Sequence, residues 1–529
     1  MTRLLPLFSG LLPRITIALL IAVGMPPGIE AQGIGNPLVP VGRFRLEINP
    51  MFNFADYRFG ERLEGGTLVQ EEEALGFDFV DAAVGTRMFP TLEALEASLA
   101  TAIGAPVTPS VIGVAGMVIS QNTVWVPIRL DVGVLDWLTV GGLVPLSQRG
   151  TEVAASFGDA GANMGLTPSG LAGDFLGALQ VAQLDLTGRV QVLCSAGPTS
   201  PGCTAASDLV TESQEFQDAI RDAYSSHGVF PLDGSQTGVA LQSRLAALLA
   251  AHQSAGVASF PIGIPLATAT LSQDDYKGLV TTPAYGVGGF PLETWNSPWR
   301  LGDVELYANA RLLASERSRD GAEPAPRIAY DFGAGALVRL GTGQTDHPDN
   351  FFDRGSGDGQ TDIEMSVFGS VTGSRWGLRG DVRYGIQTST LVLRRVATPD
   401  QAFPGASTRD VVRWTPGSYT RIWVAPQFYI NDELGLTLDV RRYSKGSDTY
   451  ESGPGGGTMG LDPNDLELET AQTALEVGGG VVFTTLRGAR GSPLEAWFIY
   501  RRAVSGSGGR TPKISHLEFG LRLFGGLWN

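Results

Sequence analysis

The sequence has few cysteines, histidines and positive charges, and each of these shortages excludes a class of protein. It has 2 cysteines, 4 histidines and neither a G-x-S-x-G nor an H-E-x-x-H motif, so no catalytic constellation stands out and we expect no enzyme. Lys and Arg number 38 against 54 Asp and Glu, and the formal net charge of -16 argues against a nucleic-acid partner. After residue 31 the chain has no apolar run long enough for a membrane helix, which excludes a helical membrane protein.

The first residues have the order of a secretory signal peptide. Arg3 and Arg14 precede the apolar run of residues 15–24, which is too short to span a bilayer, and the small residue Ala31 stands at the predicted cut. We therefore predict a signal peptide over residues 1–31 and export through the Sec pathway. No cysteine follows the predicted cut, which argues against a lipid anchor. Two classes remain for residues 32–529, a soluble exported protein and an outer-membrane barrel.

What the sequence has in abundance is glycine, 70 residues, and segments in which apolar residues alternate with polar ones. In the last segment Leu517, Phe519 and Leu521 alternate with Glu518 and Arg522, the period of a β-strand. About twelve segments share this pattern: 41–54, 123–134, 137–146, 304–312, 327–340, 363–371, 376–386, 421–430, 434–443, 473–483, 494–504 and the C-terminal strand from residue 516. An even number of alternating strands predicts an all-β fold, an antiparallel transmembrane β-barrel of about 12 strands.

The connections between these segments alternate between short and long. Leu135-Asp136, residues 372–374 and residues 431–433 are tight turns, and long glycine-rich loops lie between them. Short turns on one rim and long loops on the other are the arrangement of outer-membrane barrels. This pattern favours the outer membrane of a Gram-negative-type bacterium, with the long loops outside the cell.

Charge lies almost entirely on one parity of the predicted strands. A charged side chain on the lipid face costs roughly 2–4 kcal/mol at the bilayer midplane, so the charged parity is predicted to face the lumen and the apolar parity to face outer-membrane lipid. These charges either fill the lumen with salt bridges or line a polar channel that orients a solute. The predicted lumen-lining residues are Arg43, Arg45, Glu47, Arg129, Asp131, Glu305, Arg311, Arg339, Glu364, Arg379, Asp381, Arg383, Arg421, Asp439, Arg441, Glu476, Arg501, Glu518 and Arg522.

Two long insertions interrupt the strands and carry helical spacing. Leu92, Leu95, Leu99 and Ile103 predict a helix in the first insertion. The second insertion, at about 150–300, contains two predicted helices, one with Leu209, Phe216, Ile220 and Tyr224 on one face after Ser207 as N-cap, and one with Leu241, Leu245 and Leu248. We expect this largely helical, extracellular insertion to form a cap over the barrel mouth or a plug within it.

Two loop motifs carry candidate chemistry. Cys194 and Cys203 stand nine residues apart in the second insertion, and in an exported protein this spacing favours a disulfide over a metal site. Several carboxylates of residues 345–362 lie among glycines and could bind Ca²⁺, although their spacing does not match an EF-hand, and the other interpretation is a solvated acidic loop. The weak calcium candidates are Asp346, Asp349, Asp353, Asp358 and Asp362. No other cofactor or metal is predicted.

One turn carries a family resemblance. Gly133, Val134, Asp136, Leu138, Val140, Gly141 and Pro145 follow the form G-V-x-D-x-L-x-V-G and a strand that ends in proline. This resembles the outer-membrane barrels of the meta-pathway phenol-degradation group and the long-chain fatty-acid and aromatic-hydrocarbon transporters. The C-terminal strand also resembles the signal read by the barrel-assembly machinery.

The resemblance implies passive uptake of small hydrophobic or aromatic molecules. An alternative is a structural or receptor-type barrel whose helical cap binds a partner. The third hypothesis is an enzyme. It would need a serine and a histidine within hydrogen-bond distance, but Ser515 and His516 are predicted to face opposite sides of their strand.

Overall fold

The computed structural model describes residues 37–527 apart from residues 65–66, 196, 226–227, 316–327, 456–459 and 487–492. The predicted signal peptide, residues 1–31, lies outside the described residues. No helix within these ranges is both long enough and apolar enough to cross a membrane.

The strands are, in chain order, β1 (Arg43–Ile48), β2 (Met51–Ala55), β3 (Tyr57–Glu64), β4 (Thr67–Ala74), β5 (Asp81–Val84), β6 (Gly113–Leu135), β7 (Leu138–Gly158), β8 (Met164–Leu166), β9 (Val229–Pro231), β10 (Trp295–Asn296), β11 (Arg300–Leu301), β12 (Val304–Ala314), β13 (Ala329–Leu340), β14 (Asp362–Thr372), β15 (Trp376–Gln387), β16 (Thr390–Arg395), β17 (Arg409–Thr415), β18 (Tyr419–Tyr429), β19 (Leu434–Lys445), β20 (Thr449–Ser452), β21 (Gln472–Thr484), β22 (Leu494–Ser507), β23 (Thr511–Pro512) and β24 (Ser515–Gly526). The helices are α1 (Leu92–Ile103), α2 (Ser169–Cys194), α3 (Pro201–Ser225), α4 (Gln236–Ser254) and α5 (Gln273–Thr281).

The barrel wall is a closed ring of antiparallel strands. β1 and β2 form one wall strand, interrupted at Asn49 and Pro50, that pairs with β6 on one side and with β24 on the other. From β6 the ring continues through β7, β12, β13, β14, β15, β18, β19, β21, β22 and β24. Counted over the described residues, the wall therefore has twelve strands, and the predicted fold class is confirmed.

Alternation along each wall strand separates an apolar outside from a charged inside. In β14, Ile363, Met365 and Val367 are exposed, whereas Asp362 and Glu364 are buried. The C-terminal strand follows the same rule: Phe519 and Leu521 are exposed, and Glu518 and Arg522 are buried. A closed antiparallel barrel with an apolar outer belt is the architecture of outer-membrane proteins, because closure leaves no unpaired strand edge for lipid to meet.

The helices build an apolar core on the long-loop side of the barrel. β6 and β7 pair along their whole length and extend past the wall, where Met117 and Ile119 join that core. Leu99 of α1, Leu179 of α2 and Leu245 of α4 are buried within it. We call this assembly of α1–α5, with the outer part of β6 and β7, the helical cap.

The predicted helices are found with one error at a boundary. α1 and α4 bury the predicted leucines, which confirms both helices. α3 buries Leu209, Phe216 and Ile220, but it begins at Pro201, so the prediction that Ser207 is its N-cap is wrong. A proline is well tolerated in the first turn of a helix, where its missing N–H is not needed.

α2 was not predicted. Ala172, Phe175, Leu179, Ala182 and Leu186 are buried at helical spacing, so the period was present in the sequence. Two of these five residues are alanines and four glycines lie within the helix, which makes the apolar stripe faint.

Candidate functional site

The candidate site is the lumen, where the wall strands point their charged parity inward. Asp131 of β6 accepts hydrogen bonds from Arg45 at 2.8 Å and from the hydroxyl of Tyr307 at 2.7 Å, and Arg129 lies 3.1 Å away. Arg129 also stacks over the ring of Tyr307, at 4.5 Å from its centroid. Because Asp131 is fully buried, these partners replace the water that its carboxylate loses.

A second group of ion pairs joins the strands at which the barrel closes. Arg522 of β24 bridges Glu47 at 2.6 Å and Glu495 at 2.7 Å. Its guanidinium also lies over the ring of Trp497 at 5.0 Å. These contacts link the first wall strand, β22 and β24. Ion pairs inside the lumen therefore stabilise the closure of the barrel between its first and last strands.

A third group lies around Arg501, which is 1% exposed. Its guanidinium contacts Glu518 at 2.5 Å and Asp439 at 3.2 Å. Arg441 lies 3.1 Å from Asp439, so each of these carboxylates meets more than one cation or donor. Beside this group, His516 approaches Glu476 at 3.0 Å.

Further ion pairs join the neighbouring strands β12, β13, β14 and β15 inside the lumen. Arg339 contacts Glu305 at 2.8 Å and Asp362 at 2.7 Å. One strand pair further on, Arg383 contacts Glu364 and Asp381, each at 3.1 Å. The acidic side chains here are thus held by arginines on the same or adjacent strands.

Two cavities occupy the interior. The first measures about 290 Å³ and the second, toward the extracellular loops, about 800 Å³. Arg421 lines both, so this residue lies between the two cavities. Of the residues predicted to line the lumen, the first cavity is lined by Arg45, Glu47, Arg129, Glu305, Glu364, Arg379, Asp381, Arg383, Arg421, Asp439, Arg441, Glu518 and Arg522.

The remaining predicted residues lie beside the cavities or at the rims. Arg339 lines the second cavity, while Asp131, Arg501 and Glu476 lie behind the first in the ion pairs described above. Arg311 contacts Asp331 at 3.2 Å near the short-turn rim. Arg43 lies opposite Gly526 at the foot of the wall.

Sequence reasoning missed the aromatic hydrogen-bond donors of the lumen. The indole N–H of Trp423 donates to Asp439 and that of Trp497 donates to Glu518, both at 2.8 Å. The hydroxyl of Tyr419 donates to Glu364 at 2.8 Å. Each of these three residues lies two positions from a charged residue that faces the lumen. The alternation of the strands therefore predicts that their side chains also face the lumen, but only charged residues were considered.

A short segment before β1 was also missed. Leu38 and Val39 are each 2% exposed, and the backbone N–H of Val39 donates to the hydroxyl of Thr139 at 2.7 Å. The carbonyl of Pro37 accepts a hydrogen bond from Arg45 at the first cavity. Residues 37–41 therefore fold into the short-turn end of the lumen.

The two predicted loop motifs have different outcomes. Cys194 and Cys203 form a disulfide between the end of α2 and the start of α3, as predicted. Among the aspartates of residues 345–362, Asp346 contacts Arg394, and Asp349 contacts Arg395 and Arg409. Across the described ranges, no three His, Cys, Asp or Glu residues are grouped to hold a metal ion. The weak calcium candidate is therefore not assembled, and arginines pair with Asp346 and Asp349.

One serine and histidine do meet, at a place the sequence did not suggest. In the cap, Nε2 of His252 lies 3.4 Å from the hydroxyl of Ser213, and Nδ1 donates to the carbonyl of Leu248 at 2.9 Å. Both side chains are buried, and the ring of His252 packs against Phe260. A substrate has no access to this pair, so its geometry is that of a helix-packing contact.

Comparisons with known proteins give distant likenesses. No family model matches the sequence, and no curated protein does. Solved structures that match include the COG4313 outer membrane channel from Pseudomonas putida F1, at 9% identity over 95% of this chain and 100% of that chain with a TM-score of 0.39. The Pseudomonas putida toluene transporter TodX matches at 11% identity over 93% of this chain and 90% of that chain with a TM-score of 0.22. A Pseudomonas aeruginosa FadL homologue matches at 8% identity over 92% and 90% with a TM-score of 0.23.

The resemblance drawn from the turn motif is thus found again among these matches. At such identities and scores the matches carry no argument about a substrate. The assignment to the outer-membrane barrels rests on the closed ring of strands and its apolar outer belt.

Proposed function

We propose that the protein is an outer-membrane channel through which small molecules enter passively. The observation that carries the proposal is the polar interior, in which two cavities lie on either side of Arg421 inside a closed wall. Membrane lipid covers the apolar outer belt, and the barrel-assembly machinery inserts the chain by its C-terminal strand. The charged residues of the lumen then line the path of the solute.

The lining narrows the class of solute that the turn motif suggests. Hydrophobic or aromatic molecules were expected, but the first cavity is lined by arginines, carboxylates and the donors Tyr307 and Trp423. A purely hydrocarbon solute would leave these groups without hydrogen bonds in a space from which it displaces water. The lining therefore favours aromatic solutes that carry a polar group.

A structural or receptor-type barrel is the second candidate, and one observation favours it. The ion pairs around Asp131, Arg501 and Arg522 cross-link most of the wall, and residues 37–41 occupy the short-turn end. In that case the helical cap, rather than the lumen, would carry the function by binding a partner.

Conductance separates the two candidates. Protein lacking residues 1–31 would be refolded, shown to be folded by its heat-dependent electrophoretic mobility, and placed in a planar lipid bilayer. A channel predicts ohmic current steps that are small, because the charged lumen is narrow. A folded barrel that inserts but gives no steps would reject the channel and leave the structural or receptor role.

Liposome swelling provides a second readout for uncharged solutes. Vesicles containing the protein are expected to admit a small polar aromatic such as phenol faster than a disaccharide. Empty vesicles control for diffusion of phenol through the lipid. Equal rates with and without the protein would contradict the proposed class of solute.

A further inference from the structure

Arg421 differs from the arginines around it. The other arginines that line the first cavity each hydrogen-bond a carboxylate or, for Arg379, the hydroxyl of Tyr429. No hydrogen bond or salt bridge joins the guanidinium of Arg421 to any residue that the structure describes, and this side chain is exposed. This guanidinium therefore has N–H donors available to a ligand in either of the two cavities that it lines.

Two carboxylates that line the first cavity together with Arg421 are already engaged. Glu364 accepts from Arg383 and from Tyr419, and Asp439 accepts from Trp423 and Arg441. In the strand register Arg421 lies directly opposite Arg383 of β15, so two cations face each other across the ladder. Like charges in this position repel, and an anion placed between them relieves that repulsion.

A second donor without a partner lies beside Arg421 on its other side. Tyr443 of β19 is the register partner of Arg421, it lines the second cavity, and no hydrogen bond joins its hydroxyl to any described residue. The ring of Tyr443 lies 6.0 Å from that of Tyr419, and Trp423 follows Arg421 on the same face of β18. Aromatic residues thus lie beside both of these donors along the strands.

We propose that Arg421 and Tyr443 bind the carboxylate of a small aromatic acid. The planar fork of a guanidinium matches the two oxygens of a carboxylate, the tyrosine hydroxyl supplies a third donor, and the neighbouring rings provide surface for the aromatic part. This inference names a class of solute that binds inside the proposed channel. Its physiological role rests on the proposed function.

The test measures binding directly, with benzoate as the probe. The refolded protein without residues 1–31 would be titrated in detergent by isothermal calorimetry. We expect saturable benzoate binding, at least tenfold weaker binding in Arg421→Gln, and a several-fold weakening in Tyr443→Phe, which removes only the hydroxyl. Arg442→Gln is the matched control, because it removes the same charge from the outer face of β19, and it should bind as the original protein does.

Several results would overturn the assignment. Absence of benzoate binding by the folded protein rejects it, and so does an Arg421→Gln variant that binds benzoate as tightly as Arg442→Gln. Benzyl alcohol keeps the ring without the charge, and acetate keeps the charge without the ring. Equal affinity for benzyl alcohol would reject the carboxylate as the recognised group, and equal affinity for acetate would reject the aromatic part.

These experiments test the binding site and the proposed channel separately. Current steps without benzoate binding would reject the site at Arg421 and leave the channel. Benzoate binding without current steps would leave the site and reject passive conduction. Heat-dependent mobility of each variant on a gel checks that it is folded before its affinity is compared.

Discussion

The hydroxyl of Tyr307 on β12 reaches across β7 to donate a hydrogen bond of 2.7 Å to Asp131 on β6. The residue between them in the strand register is Gly141. A Cβ at Gly141 would lie 2.6 Å from the carboxylate of Asp131 and 2.6 Å from the ring of Tyr307. The glycine of the turn motif is therefore needed for the close approach of two lumenal side chains.

The first prediction follows from this relationship. Gly141→Ala should separate Tyr307 from Asp131 and weaken a hydrogen bond to a charged group, a contribution of about 1.5–3 kcal/mol to the free energy of unfolding. Gly142→Ala is the matched control, because its new Cβ would point to the other face and meet atoms no nearer than 3.4 Å. Urea unfolding of both variants in detergent measures the difference. Equal stabilities would show that the contact over Gly141 contributes little.

Arg501 carries the second prediction. Arg501→Gln should leave Glu518 and Asp439 buried with fewer positive partners, and breaking a buried pair in this way costs about 3–5 kcal/mol. Arg502→Gln removes the same charge from the next residue, which is exposed, and should change the free energy of unfolding by less than about 0.5 kcal/mol. Urea midpoints of the two variants, measured side by side, check the ranking.

The disulfide carries the third prediction. Cys194 and Cys203 close a short loop between α2 and α3, and a loop of this length stabilises the folded state by roughly 2–3 kcal/mol through the entropy of the unfolded chain. Reduction should therefore accelerate hydrogen exchange in α2 and α3. Exchange in the wall strands β14 and β15 should stay unchanged, since the disulfide lies in the cap. Faster exchange in both places would contradict a local role.

His252 gives a prediction on pH. Burial lowers the pKa of the His252 imidazole below its ordinary value of 6.5, although its hydrogen bond with Leu248 and the charge of Glu212 act in the opposite direction. The unfolded cap then binds a proton that the folded cap does not, so the cap loses stability as the pH falls below about 6.5. Thermal melts of the helical circular-dichroism signal, from about pH 7.5 to about pH 5.5, measure this loss.

The control for this experiment is His347→Gln, which alters an exposed histidine in a loop. It should retain the loss of cap stability at low pH, and His252→Gln should reduce that loss. A loss of the same size in His252→Gln would assign the pH dependence to other groups.

The wall of the barrel could be predicted from the sequence because its signal is local. Each strand exposes every second residue to a different medium, so Ile363 and Met365 must be apolar while Glu364 between them can be charged. The tight turns, such as that at Leu135 and Asp136, are likewise determined by neighbouring residues. The same alternation gave the lumenal parity of Arg421, but it could not show that Arg421 alone lacks a partner among the arginines lining the first cavity.

The pairing of lumenal groups required the tertiary structure. Arg522 and Glu47 are separated by almost the whole chain, and they meet only because the first and last wall strands are neighbours in the closed ring. The calcium site is not assembled for a related reason, since Arg394 and Arg395 of β16 and Arg409 of β17 contact Asp346 and Asp349.

The sequence by itself thus determined which side chains face inward and which face outward, because that choice depends on the alternation of two residues along one strand. Only the tertiary structure decided which inward-facing charges neutralise each other and which remain available. That outcome depends on the register and order of strands far apart in the chain, as the contrast between Arg383 and its neighbour Arg421 shows.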